Sequence, residues 1–117
     1  PGDFWRDSQF LHQAPSDFDA EVATKKWNAD AATLLKAYAQ TLESGIPAPF
    51  DGVAAKALLE STAEANGIKL GKVMQAVRLA VTGLGAGPDL MEVFAILGPQ
   101  EVAKRIRFAL DTLAIVD

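Results

Sequence analysis

Helix breakers divide this sequence into short segments, and that division constrains the fold more than any other feature. Two prolines in residues 46–49, Ile-Pro-Ala-Pro, remove backbone donors and fix φ, so no helix can run through them. Between the breaks, apolar residues recur at the three- and four-residue spacing of one helical face. We therefore expect residues 1–117 to form one all-α domain, a compact bundle of about six short helices.

The predicted helices begin at capping residues and end near glycines. Asp17 or Asp19, Asp30 and Asp51 offer side-chain oxygens to the free N–H groups of a first turn. Pro88 suits the first position of a helix, because the N–H that proline lacks is not needed there. The expected helices are a short one ending at about 27, followed by roughly 31–44, 52–66, 70–82, 88–97 and 99–114.

The same spacing predicts which side chains face the core. They are Phe18, Val22, Trp27, Leu34, Leu35, Tyr38, Leu42, Val53, Ala57, Leu58, Ala65, Leu70, Val73, Met74, Val77, Val81, Val102, Ile106, Ala109, Leu110 and Leu113. Residues 1–15 are irregular and aromatic. We expect them to link this domain to an upstream domain of a larger protein.

Charge is distributed unevenly along the chain. The net charge is −4, with a balance of −5 in residues 1–66 and −2 in residues 89–117. Residues 67–88 instead carry Lys69, Lys72 and Arg78 with no acid. An acidic protein with one basic window is not expected to bind polyanions indiscriminately. It can still receive a phosphate backbone at that window, especially if another domain supplies most of the affinity.

The predicted helix at 70–82 has a polar row opposite its apolar stripe. Gly71, Gln75, Arg78 and Thr82 stand at i, i+4, i+7 and i+11, and Arg78 is the only charge among them. A guanidinium can form two parallel hydrogen bonds to a phosphate or a guanine edge, and it can stack on a base. On pattern alone, a solvated face whose Arg pairs with a nearby acid is the commoner outcome.

A glycine-rich corner at residues 83–88 follows this helix. Three glycines in five residues permit close approach of a ligand, and a helix start favours anions. The corner lacks the GxGxxG spacing and preceding strand of a dinucleotide site, and it lacks the Lys-Ser or Lys-Thr end of a P-loop. Pattern alone therefore favours a tight corner between two helices.

Nothing in the sequence supports catalysis by this chain alone. The single histidine, His12, has no partners at metal-ligand spacing, and the serines have no neighbouring base or nucleophile elbow. The absence of cysteine excludes disulfides and thiolate metal sites. No apolar run approaches the roughly 20 residues that cross a bilayer.

Several motifs follow one another in register in the second half of the chain. They are Gly-Ile-Lys-Leu-Gly-Lys from Gly67, Arg-Leu-Ala-Val-Thr-Gly from Arg78, Gly-Pro-Asp-Leu-Met-Glu-Val from Gly87, Leu-Gly-Pro-Gln-Glu from Leu97 and Lys-Arg-Ile from Lys104. Their order and spacing resemble the C-terminal anticodon-binding region of bacterial glutamyl-tRNA synthetases. Residues 14–27 resemble the segment that enters that region, so the resemblance extends over the whole chain.

The resemblance implies part of a class I synthetase. Such enzymes join glutamate to its tRNA in an N-terminal catalytic domain that uses ATP and magnesium, and the His-Ile-Gly-His and Lys-Met-Ser-Lys-Ser signatures of that domain are absent here. It implies no cofactor and no catalytic activity for this chain itself. The implied partners are the tRNA(Glu) anticodon loop and the enzyme's own catalytic domain, in the cytoplasm, with no DNA or membrane role.

The resemblance also implies site residues. Arg78, Gly87 and Leu90 match positions that contact anticodon bases. The family often has Ser or Thr where this chain has Gly87, so only a backbone contact is expected there.

Further RNA contacts are expected around these positions. Lys69 and Lys72 are predicted phosphate contacts, and Gln75 and Thr82 are further candidate contacts. The alternative left open is an α-helical protein–protein interaction or regulatory domain in which Arg78 is merely solvated.

Overall fold

In a computed structural model, the protein is described over residues 18–45, 50–84 and 89–113. These ranges contain six α-helices and no strand: α1 Ala20–Lys26, α2 Ala29–Glu43, α3 Gly52–Ala65, α4 Leu70–Thr82, α5 Leu90–Leu97 and α6 Pro99–Thr112. The predicted all-α class is confirmed. The predicted linker at 1–15 and the proline segment at 46–49 lie outside the described residues.

The predicted starts of α3, α4 and α6 are correct, and two of the predicted capping residues are confirmed. Asp19 Oδ1 accepts hydrogen bonds from the first turn of α1, from the N–H groups of Glu21 at 3.0 Å and Val22 at 3.2 Å. Asp51 Oδ1 accepts from the N–H of Ala54 at 2.8 Å and begins α3. Each carboxylate also places negative charge at the positive end of a helix dipole.

Two other helix starts differ from the prediction. Helix α2 begins earlier, because Asn28 rather than Asp30 caps it, accepting from the N–H of Ala31 at 2.9 Å. Helix α5 begins at Leu90 with Asp89 as its cap, so the predicted start at position 88 is wrong. In both cases another short polar side chain lies within three residues of the predicted start.

Helix α2 contacts α3, α4 and α6. Its predicted stripe is confirmed, since Leu34, Leu35, Tyr38 and Leu42 are all fully buried. The large side chains of this stripe sit at unambiguous helical spacing, which is why the prediction succeeds. No described helix is long and apolar enough to cross a membrane.

Helix α3 turns inward mostly other residues than those predicted. Of the predicted residues only Leu58 packs against the core, and it is half-buried. Val53 is 79% exposed, and Ala57 and Ala65 are also exposed. The residues that α3 buries are Ala55, Leu59, Thr62 and Ala63. An alanine-rich helix has several stripes of similar area, so the one large side chain that finds a place in the core, Leu59, decides the face.

A buried tyrosine ties α2 to α3. The Tyr38 hydroxyl donates to the carbonyl oxygen of Ala55 at 3.1 Å, and burial raises the pKa of that hydroxyl. Tyr38→Phe is expected to lower the free energy of unfolding by about 1 kcal/mol at neutral pH. At alkaline pH the unfolded tyrosine ionises first, so the wild type loses stability and the difference should narrow. Urea unfolding of both proteins at neutral and alkaline pH tests this, and equal neutral stabilities would contradict it.

Candidate nucleic-acid interface

Helices α3, α4 and α5 enclose an open cleft with a volume of about 810 Å³. Its apolar side chains are Val53, Leu59, Leu70, Met74, Leu90 and Met91. The starts of α3 and α5 lie side by side at the cleft: a β-carbon at Gly52 would be 3.6 Å from Cβ of Met91. The starts of α3 and α5 therefore lie close together and form one wall of the cleft, with ordinary van der Waals room for a β-carbon at Gly52.

Charged side chains around the cleft are mostly acidic. The acids are Asp51, Glu60, Asp89 and Glu92, and the bases are Lys56 and Arg78. This excess of carboxylates disfavours a phosphate inside the cleft, while each carboxylate can accept hydrogen bonds from amino groups.

The four carboxylates divide into two pairs by role. Asp51 and Asp89 cap α3 and α5, with Asp89 accepting from the N–H of Met91 at 3.0 Å. Glu60 and Glu92 are exposed and make no hydrogen bond or ion pair to other residues that the structure describes. No group of three or more His, Cys, Asp or Glu side chains in the described ranges is placed to hold a metal ion.

Arg78 reaches the cleft from the wall formed by α4, and its side chain is half-buried there. Gln75, one turn earlier, is exposed. Both side chains already interact with other groups in the protein. Binding of a ligand at either position would therefore exchange an existing interaction for a new one, which reduces the net gain.

Lys69 and Lys72 are exposed at the start of α4, outside the lining of the cleft. Lys69 occupies the N-cap position and makes no side-chain capping bond, and the first turn has no acid. Basic residues are unfavourable at the positive end of a helix dipole. These two lysines therefore do not serve the stability of α4, and an anion bound beside them would reduce their repulsion from the helix end.

Thr82 corrects the predicted polar row, because its side chain is buried at 5% exposure. Its hydroxyl donates to the carbonyl oxygen of Arg78 at 2.8 Å and accepts from the N–H of Leu84 at 3.2 Å. The hydroxyl thus stabilises the end of α4 and is not presented to solvent. The last residue of the predicted polar row is therefore buried and not solvated, because α1 and α6 pack against the end of α4.

The other two positions suggested by the resemblance differ in what they offer. Leu90 belongs to the core at 2% exposure, and it lines the cleft with only the edge of its side chain. Gly87 lies outside the described residues. Of the three, Arg78 is the side chain that the structure presents to the cleft.

Sequence reasoning missed the acids that face Arg78 across the cleft. Asp51 was predicted as a cap and Asp89 was not, and no local pattern brings the starts of α3 and α5 together. Lys56 and Glu60 are four residues apart on α3 and were assigned no role, because the wrong face of α3 was predicted to be buried.

A helical bundle with a mixed apolar and polar cleft beside a basic helix start has the features of a module that reads single-stranded nucleic acid. The chain belongs to the anticodon binding domain family, whose family model matches residues 2–110.

Curated relatives of this chain are named glutamate–tRNA ligase. The chain is 46% identical over 112 residues to the protein of Cytophaga hutchinsonii, an alignment covering 96% of this chain and 22% of that protein. It is 34% identical over 110 residues to the protein of Amoebophilus asiaticus, covering 94% of this chain and 21% of that protein. The chain thus spans about a fifth of the length of the curated relatives it matches, in their C-terminal part.

Solved structures give the same result. A glutamate tRNA ligase from Elizabethkingia meningosepticum, solved with its amino acid, superposes with a TM-score of 0.82 at 30% identity, covering 94% of this chain and 21% of that one. The glutamate-tRNA synthetase of Elizabethkingia anophelis gives a TM-score of 0.74 at 30% identity, covering 92% and 20%. None of these similarities points to the regulatory or protein–protein domain that the sequence left open.

Proposed function

We propose that this chain is the C-terminal domain of a glutamate–tRNA ligase and that it recognises the anticodon loop of tRNA(Glu). Family membership and the names of the relatives support this proposal. The joining of glutamate to tRNA with ATP and magnesium then takes place in a catalytic domain outside this chain, in the cytoplasm. The chain's own contribution is selective binding, not chemistry.

The observation that carries the proposal is the position of Arg78 on the wall of the cleft. Proteins that recognise RNA by sequence bind splayed bases of single-stranded loops, using guanidinium planes and hydrogen bonds to the base edges. The cleft volume of about 810 Å³ lies within the usual range for a ligand pocket, and its apolar side chains can pack against the face of a base. Arg78 supplies the donors for the edge of such a base.

The acids around the cleft favour a base over a phosphate. Glu60 and Glu92 repel the RNA backbone but can accept from the amino and imino groups of bases, as carboxylates do from cytosine N4. Together with Arg78 they provide both acceptors and donors to a base edge. Mixed charge of this kind supports selection among bases, which a uniformly basic surface would not give.

The RNA backbone is proposed to pass the start of α4. Lys69 and Lys72 lie there, away from the acids of the cleft, in a segment that carries no negative charge. Phosphate contacts of this kind add affinity without sequence selectivity. Base contacts in the cleft and phosphate contacts outside it would together fix the register of the loop.

Binding of this chain to isolated stem-loops tests the proposal. We expect weak binding to the tRNA(Glu) anticodon stem-loop, weaker still to an unrelated loop, and loss of both as salt rises. Fluorescence anisotropy at several salt concentrations measures this. Equal affinity for the two loops would contradict recognition of the anticodon.

Removing the two lysines separates the backbone contacts from the base contacts. Lys69→Ala combined with Lys72→Ala is expected to weaken binding to both loops by a similar factor and to reduce the salt slope by about 1 for each phosphate that a lysine no longer neutralises. Lys104→Ala, an exposed lysine on α6, is the matched control and should leave the slope unchanged. A weakening confined to the cognate loop would show that the lysines do not act on the backbone.

A further inference from the structure

One charged side chain lies in the core of the described residues. Arg105, on α6, is 2% exposed. Its Nε donates to Oε2 of Glu101 at 2.8 Å, and its Nη1 donates to the carbonyl oxygen of Val81 at 3.1 Å. Glu101 lies one turn earlier on α6 and is partly exposed. The guanidinium of Arg105 therefore joins a partly exposed carboxylate on α6 to a backbone carbonyl in the last turn of α4.

A buried guanidinium is a poor means of stabilising a core. Taking its charge out of water costs several kcal/mol, and apolar side chains of similar volume are often as stabilising or better in such places. What the guanidinium provides, and an apolar side chain does not, is a directed hydrogen bond to one particular carbonyl group. We therefore expect the role of Arg105 to depend on its hydrogen bond to the Val81 carbonyl.

The carbonyl of Val81 is among the last four of α4, which lack partners within the helix. A cation at this end also suits the negative pole of the helix dipole. The next residues are fixed as well: Thr82 bonds to Arg78 and Leu84 through its hydroxyl, and the carbonyl of Gly83 accepts from the N–H of Asp19 at 2.9 Å. Three consecutive residues at the end of α4 are thus each fixed by a separate contact.

These contacts lie in the last turn of α4, next to the backbone of Arg78. Arg78 lies one turn before the end of α4, and its own carbonyl accepts the Thr82 hydroxyl. Asp89 and Leu90, at the start of α5, line the same cleft as Arg78. A shift of the last turn of α4 would therefore move Arg78 relative to the start of α5 across the cleft.

We propose that Arg105 is a positioning residue for anticodon recognition, acting through Val81 on the end of α4. It contacts no RNA, and the inference rests on the proposed function of the cleft. Lysine is not equivalent to arginine here, because a single ammonium lacks the planar fork that joins Glu101 and Val81. Errors of about 1 Å in the placement of a binding group can cost up to about 100-fold, so a remote contact can control selectivity.

The experiment uses the full-length ligase and measures anticodon selectivity. Selectivity is kcat/KM for charging tRNA(Glu) divided by kcat/KM for the same tRNA with one anticodon base changed. Arg105→Met is expected to lower this ratio about tenfold, through the KM for the cognate tRNA. It is also expected to lower the melting temperature, because Glu101 and the Val81 carbonyl lose their partner. A purely structural role would reduce the amount of active enzyme for both tRNAs equally and leave the ratio unchanged.

Arg107→Met is the matched control. Arg107 stands two residues further along α6, is half-exposed, and pairs with Glu43 at 2.8 Å on the surface. The same substitution there is expected to leave the ratio unchanged. An unchanged ratio in folded Arg105→Met, or an equal fall in Arg107→Met, overturns the inference.

Milder variants keep the test decisive if Arg105→Met does not fold. Arg105→Lys keeps the charge, and Glu101→Gln keeps an acceptor for Nε. Both are expected to lower the ratio in the same direction but less, and an unchanged ratio in both overturns the inference. Arg78→Ala is measured in parallel: if it leaves the ratio unchanged, the proposed function of the cleft fails, whereas a fall in Arg78→Ala alone overturns only the role of Arg105.

Discussion

Arg78→Ala in the full-length ligase is expected to lower kcat/KM for tRNA(Glu) by about 5- to 150-fold. This range corresponds to the roughly 1–3 kcal/mol of one good bidentate contact to a base. The loss should lie in the KM for tRNA, because Arg78 is proposed to bind RNA and not to take part in the chemical step. Steady-state charging at varied tRNA concentration measures it.

The control for this prediction is another arginine of the same domain. Arg107→Ala removes a half-exposed arginine that pairs with Glu43, whose pKa is lowered by the hydrogen bonds from Arg107. It is expected to leave the KM for tRNA unchanged. An Arg78→Ala enzyme with a normal KM for tRNA would remove Arg78 from the site.

Phe94→Ala is expected to lower the free energy of unfolding by about 3–5 kcal/mol. Phe94 is fully buried on α5, and the centroid of its ring is 6.0 Å from that of Tyr38 on α2. Helix α5 has only 8 residues, too few to be stable without packing. Loss of this anchor should therefore also loosen Asp89 and Leu90 at the cleft. Urea unfolding followed by circular dichroism measures the change.

Phe108→Ala is the matched control for this second prediction. Phe108 is 44% exposed and stacks on Phe18 with a centroid distance of 6.0 Å. Since much of its surface already contacts water, the same truncation is expected to cost only about 1 kcal/mol. Equal losses in the free energy of unfolding for the two variants would contradict the conclusion that Phe94 anchors α5 to the bundle.

The parts of the fold that the sequence predicted correctly depend on large side chains at clear spacing. The stripe from Leu34 to Leu42 on α2 and Ile106 on α6 are examples, and both are buried. The face of α3 was predicted wrongly, because alanines at many positions give no single preferred stripe. The cap of α2 was misplaced for a similar reason: Asn28 and Asp30 are both good caps, and the sequence does not choose between them.

Only those features of the candidate site that belong to a single helix could be predicted from the sequence. Arg78 was placed correctly on a polar face of α4, since one helix fixes that direction. Glu60 and Glu92 come from helices far apart in sequence, and their meeting across the cleft depends on how α3 packs against α5. The prediction that Thr82 faces solvent was wrong, because the spacing within one helix does not show which other helices cover its last turn. Arg105 was overlooked because a charged residue is ordinarily expected at the surface.

Binding of anticodon bases by Arg78 is tested most directly by a double-mutant cycle between protein and RNA. Affinities of wild-type and Arg78→Ala full-length ligase are measured for tRNA(Glu) and for tRNAs with each anticodon base replaced in turn. We predict that Arg78→Ala weakens binding of tRNA(Glu) but has little further effect on the tRNA that lacks the contacted base. The same fold loss for every one of these tRNAs would contradict base recognition, since Arg78 would then act on the backbone or on the fold and not on a base.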